Sequence, residues 1–243
     1  MGRSASGAGA AASADKFSIG LTLLALAVAL FLQIGVNYAN DYSDGIRGTD
    51  DKRVGPLRLT GSKSVKPAAV KNAAFIFFAL AAVAGLAIVL LTQHWWFLPV
   101  GAASIVAAWF YTGGKNPYGY AGLGELAVFI FFGLVATYGT AYIQIGHFDL
   151  NALLGGTAAG LFASAVLMVN NIRDIDTDRH VGKRTLAVKV GKRGAKAIFF
   201  AMIWLPMTLL TVSPLIYPAT FFAWVTVFLL IPVTLIVATA KTP

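Results

Sequence analysis

The sequence predicts an all-α fold, a polytopic membrane bundle of about seven transmembrane helices with a polar cap over an intramembrane cavity. Three observations carry that expectation. The 243 residues are 58% hydrophobic and only 12% charged, too apolar for a soluble domain of this length. Charge-free stretches of single-span length recur along the chain, and most of the basic residues fall in two loops between them. The absence of cysteine excludes disulfide, zinc-thiolate and iron–sulfur chemistry. A formal charge of +9 in a soluble protein would suggest nucleic acid; between apolar runs it sets orientation in a bilayer instead, and no nucleic-acid partner is expected.

Residues 1–16 are small and polar, with no apolar stretch between Arg3 and the first span, so they read as a loop or flexible tail and not a signal peptide. Residues 17–243 form a single transmembrane domain. The charge-free runs are 17–36, 73–91, 95–111, 126–146, 152–172 and 197–240. About 20 apolar residues cross a bilayer, so five of these are single spans. The last is too long and carries Pro206, Pro214, Pro218 and Pro232, so it divides near residues 213–218 into two helices.

Seven of the 19 basic residues lie between positions 45 and 72 and eight between 173 and 196. Seven alternating helices bring both loops to one side, and the positive-inside rule makes that side cytoplasmic for a multi-pass protein of the cell (inner) membrane. Trp95 and Trp96 suit an aromatic belt at the opposite interface.

Seven of the ten acids sit in two regions, each at the end of a span. The first span runs into Asn37, Asn40, Asp41 and Asp44; at about 100° per residue these share one helix face. The fifth ends in Asn170, Asp174 and Asp178, which step by four, while Asp176 points elsewhere. An unpaired carboxylate near hydrocarbon costs about 2.5–3.5 kcal/mol, so each cluster implies a wet cavity and a neutralising cation. Oxygen ligands without His or Cys partners suit Mg²⁺, which takes one or two carboxylates, waters and substrate phosphates. Neighbouring Arg47, Arg58, Lys183 and Arg184 are candidates for the phosphate oxygens. Tyr38, Tyr42, Tyr111 and Tyr118 offer aromatic faces to a cation, and Glu125 is a lone acid at the start of a span.

The stretches NDYSDGIRGTDDKRVGPLRL (40–59) and NNIRDIDTDRHVGKRTLA (170–187) resemble the two aspartate motifs of the UbiA superfamily of intramembrane prenyltransferases. With YTGGKNPYGYAGLGELAVFIFFG (111–133), the likeness is to the branch that prenylates 1,4-dihydroxy-2-naphthoate in menaquinone synthesis. That resemblance implies transfer of a polyprenyl group from polyprenyl diphosphate to the naphthoate, with loss of CO₂, giving demethylmenaquinone. It implies Asp41, Asp44, Asp174 and Asp178 as catalytic residues. One Mg²⁺ would lie on Asp41 and Asp44 with Asn37 or Asn40, and a second on Asp174 and Asp178 with Asn170. The basic residues would hold the diphosphate, and the tyrosines and Glu125 the cation or the acceptor. Where the superfamily usually has nine helices this chain supplies seven, and the third acid of the first motif is replaced by Gly48, with Asp50 and Asp51 just beyond. The alternatives are another aromatic or lipid acceptor within the superfamily and, outside enzymes, a cation-coupled transporter. A CDP-alcohol phosphotransferase is disfavoured because Asp44-Gly45 lacks the Ala-Arg that its motif requires.

Overall fold

In hydrocarbon every backbone polar group has to be satisfied within its own segment or closed sheet, and this chain does so with helices. The computed structural model describes residues 2–13, 15–49, 58–212 and 225–240. Helix α1 (Gly2–Ser13) is followed by α2 (Ile19–Arg47), α3 (Pro67–Thr92) and α4 (Phe97–Phe110). A 3-10 turn, Tyr118–Ala121, leads to α5 (Gly124–Val128), a π-helical stretch (Phe129–Tyr138) and α6 (Gly139–Ile145), which together make one continuous rod. Then come α7 (Leu150–Arg173), the short α8 (Ile175–His180), α9 (Leu186–Val212) and α10 (Val225–Thr239). A helix thus occupies each of the seven expected spans. The division between the last two falls at residues outside those described.

Four of these rods, α2, α3, Gly124–Ile145 and α7, are long and apolar enough to cross a membrane. Their outer faces carry large apolar side chains in the open, Leu23, Ile76, Val83 and Leu91 among them. A contiguous apolar surface of that kind suits lipid. The helix ends are set by local chemistry. The Ser18 hydroxyl accepts the Leu21 N–H at the start of α2, and the Asp149 carboxylate accepts that of Ala152 at the start of α7. Gly48, at φ 73°, closes α2 in the left-handed conformation that glycine adopts without strain.

Packing between rods relies on small residues. A Cβ at Gly133 would lie 2.6 Å from the Gly156 carbonyl, and one at Gly160 2.8 Å from the Phe129 ring, so α7 and the π-helical stretch meet nearly backbone to backbone. The same physics corrects the expectation for residues 1–16. They were expected to be a loop or tail, yet Gly2–Ser13 is helical, with Ala8 and Ala11 buried and Gly7 so close to the junction of the π-helical stretch and α6 that a Cβ would meet the Thr137 carbonyl and the Thr140 side chain. Alanine is the best helix former, and a thin Gly/Ala/Ser helix fits where bulkier side chains would not.

One end of the bundle gathers both basic loops and the segment 111–123; the other carries Ser18, Gln144 and the ring cluster of His94, Trp96, Phe97 and Tyr142. The expectation that the two acidic motifs share a side therefore holds.

Candidate active site

The last turns of α2 carry two buried carboxylates in different directions. Asp41 is 6% exposed and both its oxygens are occupied: Oδ2 accepts the Leu59 N–H and Oδ1 the Thr60 N–H, each at 2.8 Å. This pins the turn at residues 58–65 to the helix. Gly45 makes room for it, since a Cβ there would stand 2.5 Å from the Thr60 side chain. Asp44, 4% exposed, faces the neighbouring loops. Its Oδ1 accepts the Tyr120 hydroxyl at 2.5 Å, and its Oδ2 lies 3.5 Å from Lys183 Nζ.

Tyr120 belongs to the 3-10 turn that starts after Pro117 and ends at Gly122, where φ is 76°. The Lys183 ammonium stands 4.7 Å from its ring centre and the Arg47 guanidinium 5.5 Å. Arg47 also donates to the backbone carbonyls of Thr112 and Gly114, and the Thr112 hydroxyl donates to Asn40 Oδ1 at 2.8 Å. The Arg184 N–H reaches the Tyr120 carbonyl at 2.9 Å and Lys189 Nζ the Ala121 carbonyl at 2.7 Å. Burial raises the Tyr120 hydroxyl pKa, and the Asp44 charge raises it further, so the phenol stays a donor.

The second motif does not lie on one uninterrupted helix. α7 ends at Arg173, and Asp174, at φ −95° and ψ 10°, turns the chain into α8. Asp174 takes both prongs of Arg173 at 2.7 Å. Asp178 faces inward toward Lys183, with the Thr185 hydroxyl 3.4 Å from Oδ2. Burial pushes the Asp178 carboxyl up to about 6; Lys183 opposes that rise, while Asp174 and Asp44 add to it. Asp44 and Asp178 are thus a pair of carboxylates that share one neighbouring ammonium, Lys183. Such a pair gains from further positive charge, and its donors are oxygens suited to a hard divalent ion. Among the described residues no three carboxylates or imidazoles converge into a closed metal site, so water and phosphate would complete the shell of an ion held here.

The remaining candidates divide. Glu125 is 3% exposed; Asn171 Nδ2 donates to its Oε1 at 2.8 Å, and among the described residues its Oε2 has no partner. Tyr111 packs beside it, its hydroxyl 3.1 Å from where a Cβ on Gly124 would be, and its ring meets Tyr118 edge-on. The Tyr118 hydroxyl is committed to the Ala107 carbonyl at 2.8 Å. Tyr38 stacks on Phe77, and Tyr42 stacks on Trp109 with Lys71 Nζ 6.0 Å from its ring centre. Asn37 is exposed, and its backbone carbonyl accepts Arg58 at 3.4 Å. Asn170 borders an apolar cavity of about 210 Å³ lined by Ala165, Val169, Phe199, Ile203 and Val233. Arg184 is exposed, and Asp50 and Asp51 lie outside the described residues. Tyr120, Thr112, Asn171 and Thr185 were not anticipated. For Tyr120 the available signal was its place in a Pro/Gly-rich loop on the side shared by both motifs.

The UbiA prenyltransferase family matches residues 4–241, nearly the whole chain. The chain belongs to this family. Within it, the chain is 52% identical over 172 residues to a 1,4-dihydroxy-2-naphthoate octaprenyltransferase of Mycobacterium tuberculosis, covering 71% of this chain and 59% of that protein. It is 42% identical over 171 residues to the protein of the same description from Escherichia coli, covering 68% and 56%. A more distant relative, the UbiA prenyltransferase domain-containing protein 1 homolog of Drosophila melanogaster, is 28% identical over 191 residues, 76% of this chain and 52% of that one. The chain spans somewhat over half the length of these curated relatives.

Proposed function

We propose that the protein transfers a polyprenyl group from polyprenyl diphosphate to 1,4-dihydroxy-2-naphthoate, with loss of CO₂, to give demethylmenaquinone at its hydroquinone oxidation level. The observation that carries this reading is the convergence of Asp44, Asp178, Lys183 and Arg47 at one end of the bundle beside a buried Glu125. Carboxylates paired with cations there suit a metal-bound diphosphate, and the names of the bacterial relatives support the naphthoate as acceptor. The reading places the active site on the cytoplasmic side of the inner membrane.

Asp44, with Asn40 nearby, and Asp178, with Asp174, would hold Mg²⁺, one ion at each motif, and the metal would neutralise charge gathering on the departing diphosphate. Lys183 and Arg47 add fixed positive charge at the same end, with Arg58 and Arg184 at its rim. The C–O bond to the diphosphate breaks with its electron pair on oxygen, a ring carbon of the acceptor supplies the pair for the new C–C bond, and the ring–carboxylate bond breaks with its pair returned to the ring as CO₂ leaves. Asp41 acts differently from Asp44: it holds the 58–65 turn over the site. Glu125, whose Oε2 has no partner among the described residues, is the acceptor-side group, suited to a ring hydroxyl. The apolar cavity below Asn170 offers space to the first isoprene units.

The test is incubation of membranes containing the protein with Mg²⁺, a polyprenyl diphosphate and a panel of aromatic acceptors, with products identified by mass. A decarboxylated prenyl-naphthohydroquinone, or the quinone that air forms from it, is expected. Prenylation of hydroxybenzoate or homogentisate in preference to the naphthoate refutes the acceptor assignment.

A further inference from the structure

We propose that Tyr120 is a positioning residue of this site: its hydroxyl orients Asp44 for a divalent cation, and its ring spaces Lys183 and Arg47 as two arms that receive a diphosphate. The inference rests on the reading of Asp44 as a cation ligand and extends it to a residue that touches both motifs. A 2.5 Å bond fixes Asp44 Oδ1, whereas among the described residues Oδ2 has only the longer 3.5 Å contact with Lys183. Oδ2 is therefore the oxygen open to a cation, and a cation arriving there frees the Lys183 ammonium for an anion. Donors that orient a metal ligand in this way typically contribute about 10- to 100-fold to metal affinity.

The ring has a separate task. Lys183 and Arg47 repel each other, and a carboxylate between them would cancel the charge that a diphosphate needs. A neutral aromatic ring holds both cations nearby, 4.7 and 5.5 Å from its centre, while leaving their charge intact. The turn that carries the ring is fixed from the second motif by the Arg184 N–H and by Lys189 Nζ, so the hydroxyl spans from one motif to the other.

The test uses the full chain in nanodiscs, with Mn²⁺ binding read by electron paramagnetic resonance and inorganic diphosphate binding read by calorimetry at saturating Mn²⁺. Tyr120→Phe removes the hydroxyl and keeps the ring; Tyr120→Leu removes both. The Phe variant should bind Mn²⁺ about tenfold or more weakly, yet bind diphosphate within about twofold of the parent. The Leu variant should weaken diphosphate as well, by about fivefold or more. Unchanged or tighter Mn²⁺ binding by the Phe variant overturns the positioning role, as does a loss confined to melting temperature. If Asp44→Asn leaves Mn²⁺ binding intact, the site reading falls and this inference falls with it.

Discussion

Asp41 and Asp44 lie three residues apart on one helix with different partners, and the proposed site gives them separable tasks that the substitutions Asp41→Asn and Asp44→Asn should resolve. Asp41 accepts two backbone N–H groups at 2.8 Å, from Leu59 and Thr60. Asparagine keeps one acceptor and turns an NH₂ toward the other N–H, which leaves a buried donor unpaired. Loss of one charge-assisted bond together with that penalty amounts to about 2–4 kcal/mol. That energy holds the 58–65 turn, so local opening at Leu59 and Thr60 should become roughly 30- to 700-fold more frequent. Hydrogen–deuterium exchange of peptides covering these amides reads it directly. Asp44→Asn leaves the Tyr120 hydroxyl an oxygen to donate to, so exchange at residues 59 and 60 should stay near the parent rate. Turnover should nonetheless fall by about a hundredfold or more, on the order of 3 kcal/mol in the barrier. Unchanged exchange in Asp41→Asn, with turnover lost as completely as in Asp44→Asn, would refute the division and return Asp41 to direct metal binding.

Three further outcomes follow from the same geometry. Asp178→Asn should cost about a hundredfold in turnover and Asp176→Asn less than about tenfold, because Asp178 faces Lys183 whereas Asp176 is exposed; equal losses in folded protein would favour bulk loop charge. The Asp178 carboxyl, raised to about 6 from 3.8, contributes stability that is complete below about pH 3.8 and lost as pH rises through about 6. Metal-free protein should therefore melt lower at pH 7 than at pH 5. Mn²⁺, which needs the carboxylate, should bind up to about tenfold more weakly for each pH unit below 6. Equal Mn²⁺ affinity at pH 5 and pH 7 counts against Asp178 as a ligand. Single cysteines at Ser62 and Val181, both exposed at the site end, should be labelled from the cytoplasmic side, and one at His147 from the other side; labelling of Ser62 and His147 together would break the topology.

Chain composition alone determined the membrane, the spans and their shared basic side. Those properties depend on sums over many residues, and runs without charge have few alternatives in hydrocarbon. The aspartate motifs were legible for a similar reason, since a carboxylate at a span end requires a partner wherever the helices later pack. What only the tertiary structure decided is which way each polar group turns. Helical periodicity set Asp41 beside Asp44, but the 58–65 turn claims both oxygens of the first, and Tyr120 with Lys183 claims the second. The four-residue steps from Asn170 to Asp178 suggested one continuous face, whereas the chain turns at Asp174, which pairs with Arg173, while Asp178 turns toward Lys183. Tyr120 was missed because its partners lie 76 and 63 positions away in sequence, at Asp44 and Lys183. The helix at Gly2–Ser13 was missed because small side chains carry no hydrophobic signal along the chain that would announce the close approach of Gly7 to Thr137 and Thr140.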